Sequence, residues 1–246
     1  MLAARGTIDF HLPLILEALA AFGPFIAALV VLGRTRGKAG VGALLASLVN
    51  WRVPRVWLVF VLVSPFAVLV AALSMTGETA KLFSGELCRD LLTGGKFLQL
   101  IFIGGALRGI GEEPGWRGFA LPFLRHRFGP LLATFALFPA WWLWHLPALL
   151  ARNEFQPFQF AMFGLGILAA TVWCTLLYDA TRSVLMLALW HALINITRGM
   201  ALSASMAAFL AFAKVVMAVA FVIIVYWLIR RPASYSAETA SGSSGL

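Results

Sequence analysis

Residues 111–122 read GEEPGWRGFALP. Two adjacent carboxylates, Glu112 and Glu113, are followed four residues later by Arg117, in a chain of which only 12% is charged. Neighbouring carboxylates in poorly solvated surroundings cannot both ionise cheaply, so one binds its proton more tightly and becomes suited to general-base work near neutral pH. On a helix, Glu113 and Arg117 lie one turn apart and can form an ion pair, which holds one carboxylate charged and leaves the other for chemistry. Pro114 and Gly115 can bend or end such a helix. The plainer reading of the pair is a solvated helix end at a membrane interface.

Two further stretches carry polar groups where apolar ones prevail. His145 lies in WWLWHLPALL, and His191 and Asn195 lie in LWHALINIT. The spacing of four puts His191 and Asn195 on one helix face. Each has a structural alternative: an interfacial histidine in an aromatic belt with Trp141, Trp142 and Trp144, and interhelical hydrogen bonding that glues a bundle. Taken together, Glu112, Glu113, Arg117, His145, His191 and Asn195 form the inventory for activating a water and stabilising an oxyanion. No HExxH and no GxSxG occurs, so neither the zincin nor the nucleophile-elbow arrangement applies. His11 and His126 lie near span ends without an assigned role, and Glu17, Arg108 and Asp179 read as structural. Lys214 sits within the last span, where it snorkels or pairs internally.

These residues need a scaffold, and composition points to one. Hydrophobic residues make up 61% of the 246, and they fall in long runs, each able to cross the hydrocarbon core as a helix. The expected fold class is all-α, a polytopic transmembrane helical bundle of about seven spans: 11–32, 56–74, 97–111, 130–150, 158–178, 183–197 and 206–229. The third and sixth are short and polar, which places them inside the bundle. Residues 1–231 form one membrane domain, and the small, polar tail 232–246 is expected to be disordered. The first run is too long for a signal-peptide core and is expected to be retained. Residues 115–128 read as an interfacial segment, and Gly105 and Gly109 form a GxxxG that suggests close helix packing.

Net charge is +9. The basic residues cluster between apolar runs, so membrane orientation explains them better than nucleic acid, for which no motif is present. Arg34, Arg36, Lys38, Arg52, Arg55, Arg125, Arg127, Arg182, Arg230 and Arg231 fall on one side if the spans hold. Arg5, Lys81, Arg89, Lys96, Arg152 and Arg198, offset by Glu78, Glu86, Asp90 and Glu154, fall on the other. The balance favours the N-terminus outside and the C-terminus inside. Cys88 and Cys174 match neither a zinc-binding nor a disulfide pattern.

The order EExxWRG, a span with WHLP, then HxxxN resembles the CPBP family of intramembrane proteases, which includes the type II CAAX-processing proteases and the bacterial bacteriocin-processing or immunity (Abi) group. The matching residues are Glu112, Glu113, Trp116, Arg117, Gly118, His145, His191 and Asn195, within a core of about 97–197. The resemblance implies a peptidase site within the membrane. Glu112 would be the general base, His145 would help hold the attacking water, His191 and Asn195 would stabilise the oxyanion, and Glu113 with Arg117 would orient the site. The family's mechanism has been read as glutamate-dependent or as zinc-dependent on the same residues; the expectation here is a glutamate-type site with no cofactor, zinc being the other reading. The family's second motif is often written FxxxH, and Trp141 stands at its aromatic position. A peptide or membrane-protein substrate, drawn from the lipid bilayer around the chain, fits best. The Ala/Leu/Gly-rich composition suggests a bacterial chain, hence a multi-pass protein of the inner (cell) membrane. Two other classes compete: a non-catalytic immunity or scaffold protein, and a small transporter using a Glu/His proton relay, against which the lack of matching broken helices weighs.

Overall fold

The computed structural model describes residues 19–85, 89, 101, 105–151 and 156–230, and all their regular structure is helical. In chain order the helices are α1 (Gly23–Leu48), α2 (Arg55–Thr76), α3 (Ala80–Phe83), α4 (Leu107–Gly115), α5 (Leu121–Arg125), α6 (Pro130–Trp144), α7 (Leu146–Ala151), α8 (Pro157–Thr181), α9 (Val184–Ala204) and α10 (Met206–Arg230), with a π-helical turn, Trp116–Ala120, joining α4 to α5. Five segments are long and apolar enough to cross a membrane: Arg55–Thr76, Pro130–Leu150, Pro157–Thr181, Val184–Ala204 and Met206–Arg230. The chain is therefore a helical membrane bundle, with five of the expected spans recovered near their expected bounds. Arg5, His11, Glu17, Glu86, Cys88, Asp90, Lys96, Arg152, Glu154, Arg231 and the tail lie outside the described residues, as do parts of the expected spans 11–32 and 97–111.

Three local readings change. Residues 33–55 are helical as far as Leu48, with a sharp turn at Gly37 (φ 59°) that folds the second half of α1 back, so that Leu44 packs with Ala28 and Leu32. The sixth span does not stop at 197 but continues to Ala204. Residues 115–128 are helical over most of their length and partly buried in the bundle. The helix runs through Pro114 and Gly115 into the π turn, and Arg117 and Leu121 are fully buried.

The main core is built from α2, α8, α9 and α10, around Leu69, Leu73, Trp173, Leu177, Leu187, Trp190 and Phe212. Trp173 and Trp190 stack with ring centroids 5.4 Å apart. Each indole has a polar handle to satisfy when buried: Trp190 Nε1 donates to Ser64 Oγ at 3.1 Å and Trp173 Nε1 to the Val216 carbonyl at 3.1 Å. Helix α4 is too short and polar to hold its place by hydrophobicity alone. It is wedged between α1 and α9 by two glycine faces. Gly105 and Gly109 lie against Ala192, Ile196 and the Ala188 backbone of α9, while Gly111 and Gly115 lie against Ala21 and the Pro24 backbone. The expected GxxxG contact is present, and a second one, Gly111–Gly115, faces the other way. Without side chains the backbones approach closely, which lets a polar helix sit at depth.

The helix directions place Asn50, Arg52, Arg55, Arg125, Arg127, Arg182 and Arg230 at one end of the bundle. There Ser183 Oγ donates to the Asn50 carbonyl at 2.5 Å, and Arg125 binds both oxygens of Asp179 at 2.9–3.2 Å. At the opposite end, Glu78 accepts from Lys81 Nζ at 2.8 Å and Ser205 Oγ at 2.7 Å, and Lys81 also reaches the Ala204 carbonyl at 2.7 Å. This clasp joins the end of α2 to the α9–α10 turn.

Two outcomes follow. Gly115→Ala sets a methyl against the Pro24 backbone, which cannot yield, and is expected to destabilise by about 1–3 kcal/mol. Gly166→Ala meets nothing within 4 Å and is expected to stabilise by about 0.5–1 kcal/mol; thermal unfolding in detergent compares them. The Glu78 carboxyl is drawn down to about 2 from 4.5, chiefly by the Lys81 hydrogen bond, then by Ser205 and Thr76. A depressed carboxylate contributes stability that is fully present above its unfolded value and is lost as pH falls through the folded one. The stability difference between the parent and Glu78→Gln is therefore expected to shrink between pH 4.5 and about 2, measured as unfolding midpoints across that range.

Candidate active site

Glu112 and Glu113 close the short helix α4. They are 1% and 0% exposed, so the solvated helix end does not describe them. A carboxylate at that depth requires partners, and Glu113 has two on one oxygen. Its Oε1 accepts from Arg117 Nη1 at 3.0 Å and from His191 Nδ1 at 2.7 Å. Arg117, 0% exposed, is itself placed by the π turn that follows Gly115. The expected Glu113–Arg117 tether is present, and His191 joins it across the α4–α9 contact.

Trp141, on α6, ties the remaining groups together. Its indole Nε1–H donates to Glu112 Oε2 at 2.7 Å. Its ring lies 3.9 Å from the guanidinium carbon of Arg117, a buried cation–π contact. The His191 ring meets it edge-on at 5.7 Å, and the His145 ring lies tilted at 6.0 Å. Its carbonyl oxygen accepts from His145 Nδ1 at 2.7 Å.

Local backbone chemistry explains that last bond. Helix α6 ends at Trp144 with His145 as its cap, and Pro147 just beyond leaves the Leu143 carbonyl without its i+4 donor. The His145 amide turns back to the Trp142 carbonyl at 3.1 Å instead of reaching Trp141. The freed Trp141 carbonyl is then taken by the imidazole. Because a carbonyl only accepts, Nδ1 of His145 carries the proton and Nε2 presents a lone pair.

The structure thus joins Glu113, Arg117 and His191 directly and brings Glu112 and His145 to the same cluster through Trp141. Asn195 lies one turn beyond His191 on the same face of α9 and is half-buried. Sequence reading took Trp141 for part of an aromatic belt or a bulky wall. Its place in the FxxxH pattern, four residues before His145, was the signal for a larger role. Asp179, read as structural, does serve the Arg125 clamp at the end of the bundle.

A zinc ion needs about four ligands in a near-tetrahedral shell, one of them water in a catalytic site. Among the described residues no three His, Cys, Asp or Glu side chains converge in that way. One Glu112 oxygen is bonded to Trp141 and the Nδ1 of each histidine to a carbonyl or carboxylate, which leaves the other Glu112 oxygen and each Nε2 as the available donors; as the structure stands they do not form one shell.

Residues 94–197 match the family described as type II CAAX prenyl endopeptidase, Rce1-like. A comparison with curated proteins finds no matching relative. The matched segment contains every residue of the cluster and ends two residues beyond Asn195.

Paired substitutions test the cluster. Glu113→Gln strands the buried Arg117 and is expected to cost about 3–5 kcal/mol, the penalty for breaking a buried ion pair. Glu112→Gln keeps the shape and the Trp141 bond and is expected to leave thermal unfolding nearly unchanged. Trp141→Phe removes a hydrogen bond to a carboxylate and is expected to cost about 1.5–3 kcal/mol. Trp116→Phe is the control: the Trp116 Nε1 is buried with no partner among the described residues, so its loss is expected to be close to neutral.

Proposed function

We propose, from the match of residues 94–197 to the Rce1-like type II CAAX endopeptidase family, that the cluster hydrolyses a peptide bond within the membrane by a glutamate-activated water, without a metal. The observation that carries this reading is the convergence of Glu112, Glu113, Arg117, His145 and His191 around Trp141 in a buried site.

The free oxygen of Glu112 takes a proton from water, whose oxygen attacks the peptide carbonyl carbon. The lone pair on His145 Nε2 holds the second hydrogen of that water. The carbonyl oxygen becomes an oxyanion, and His191 with the Asn195 amide donates to it. The C–N bond then breaks, and the amine leaves with the proton held by Glu112.

The His191 bond to Glu113 fixes the ring beside the oxyanion position, and Glu113 acts as a positioning residue for Arg117 and His191 together.

The substrate we propose is a peptide or a membrane protein entering from the bilayer of a bacterial inner membrane, not a prenylated chain. The near-complete burial of Glu112 and Glu113 is the one feature that favours the competing scaffold reading, since a closed cluster binds nothing. Cleavage decides between them. Purified protein in detergent is expected to cut members of a peptide library, and Glu112→Gln to lower the rate by about 100-fold or more; absence of cleavage by the parent protein would remove the peptidase reading. Asn195→Ala is expected to lower kcat by about 100- to 1000-fold with little change in KM, as for a contact made mainly in the transition state. Activity is expected to survive chelation. Stoichiometric zinc whose removal abolishes activity and whose return restores it would overturn the glutamate-only scheme.

A further inference from the structure

An open groove on the described surface lies away from the carboxylates. It encloses about 570 Å³ at the end of the bundle, between the last turn of α1, the 49–54 connection and the α8–α9 turn, and Ser47, Asn50, Trp51, Arg52 and Arg182 line it. Span ends fix its depth: α2 begins at Arg55, α8 ends at Thr181 and α9 begins at Val184. The groove therefore opens at the level of the lipid headgroups.

Its walls divide by chemistry. Ala43, Ala46 and Val49 form an apolar side, and Trp51 stands 70% exposed beside them, as an indole does at a membrane–water interface. Arg52 and Arg182 supply positive charge, and the Arg52 side chain has no partner among the described residues. Asn50 Oδ1 accepts from the Arg52 amide at 3.2 Å, which leaves the Asn50 NH2 to donate elsewhere. The groove is preformed, because Ser183 pins the Asn50 carbonyl and in turn caps α9 by accepting from the Met186 amide at 3.2 Å.

Charge and strain agree with an anionic occupant. Among the described residues this end carries one acidic side chain, Asp179, which Arg125 holds. Arg182 is also the one described non-glycine residue with positive φ, 50°. Glycine is the residue that position favours on backbone grounds, so an arginine there supplies a side chain at the cost of strain.

We propose that this groove binds the phosphodiester headgroup of an anionic phospholipid, with Arg52, Arg182 and Asn50 on the phosphate and Trp51 and Val49 against the first carbons of the chains. Two guanidinium groups suit phosphate oxygens, and the adjoining apolar wall favours an amphiphile over a free ion.

The test uses the full chain in nonionic detergent and follows its thermal unfolding midpoint. Short-chain phosphatidylglycerol is expected to raise the midpoint saturably, whereas phosphatidylcholine of equal chain length and inorganic phosphate are expected to leave it unchanged. Arg52→Ala and Arg182→Gly are expected to weaken the response about tenfold or more. Arg182→Gly relieves the positive φ but loses the Arg182 contact with the Tyr178 ring, so each variant's lipid response is read against its own midpoint without lipid. A combined Arg34→Ala, Arg36→Ala and Lys38→Ala variant is expected to keep the response, since those residues sit at the α1 turn outside the groove. Equal effects of both lipids, saturation by phosphate alone, a full response in the groove variants, or its loss in the α1-turn variant would each overturn the proposal. Because the readout is binding, its failure leaves the peptidase reading untouched.

Discussion

The constraint on which the structure turns is the buried charge of Glu113. An ionised carboxylate removed from water is costly unless it is paired and hydrogen-bonded, and Glu113 is 0% exposed. Its two partners must come from different places: Arg117 from one turn onward in the same segment, His191 from a neighbouring helix. Much of the local architecture serves to deliver them. The π turn carries Arg117 inward, and π-helical turns are frequent at functional sites for this kind of reason. The glycines of α4 let α9 come close enough for His191 to reach. Even so, Glu113 Oε2 and the Nε and Nη2 of Arg117 stay without partners among the described residues. Unsatisfied buried polar atoms are rare in folds built for stability alone and are concentrated where function demands them.

Trp141 extends the constraint to a third helix. One indole gives a donor to Glu112, a π face to Arg117, an edge to His191 and, through its own carbonyl, an acceptor to His145. No smaller aromatic residue offers all four. A phenylalanine at this position would keep the face and the edge but lose the donor, so a chain with tryptophan here restrains its first glutamate in a way that a phenylalanine chain does not.

Much of this was legible in the sequence. Long apolar runs force helices because the bilayer core leaves no other way to satisfy the backbone, and the few polar residues on those runs had to find one another. That reasoning reaches Glu112, Glu113, Arg117, His145 and His191, and the i,i+4 tether from Glu113 to Arg117. It fails where two signals share one residue. Trp141 lies among tryptophans, and an aromatic belt accounts for any of them equally well. It fails again at Pro114–Gly115, where local propensity argues for a break; tertiary packing of Gly115 on Pro24 and of Gly118 on Leu44 and Val184 instead carries the chain on as helix. The second glycine face of α4 was as visible as the first, yet a GxxxG pattern does not state which neighbour it meets.

The distribution of contacts gives the site a mechanical character. Helix α4 is packed tightly on α1 and α9, and α6 is packed on α8, but α4 and α6 touch each other only lightly. The two carboxylates therefore stand on a helix packed on α1 and α9, His145 follows one packed on α8, and the thin α4–α6 contact falls at the cluster. The bond from Trp141 to Glu112 lies there, as does the Arg117–Trp141 contact. Parting a thin contact between well-packed units costs less than loosening either unit. The glycine contacts that hold α4 against α1 and α9 are correspondingly close.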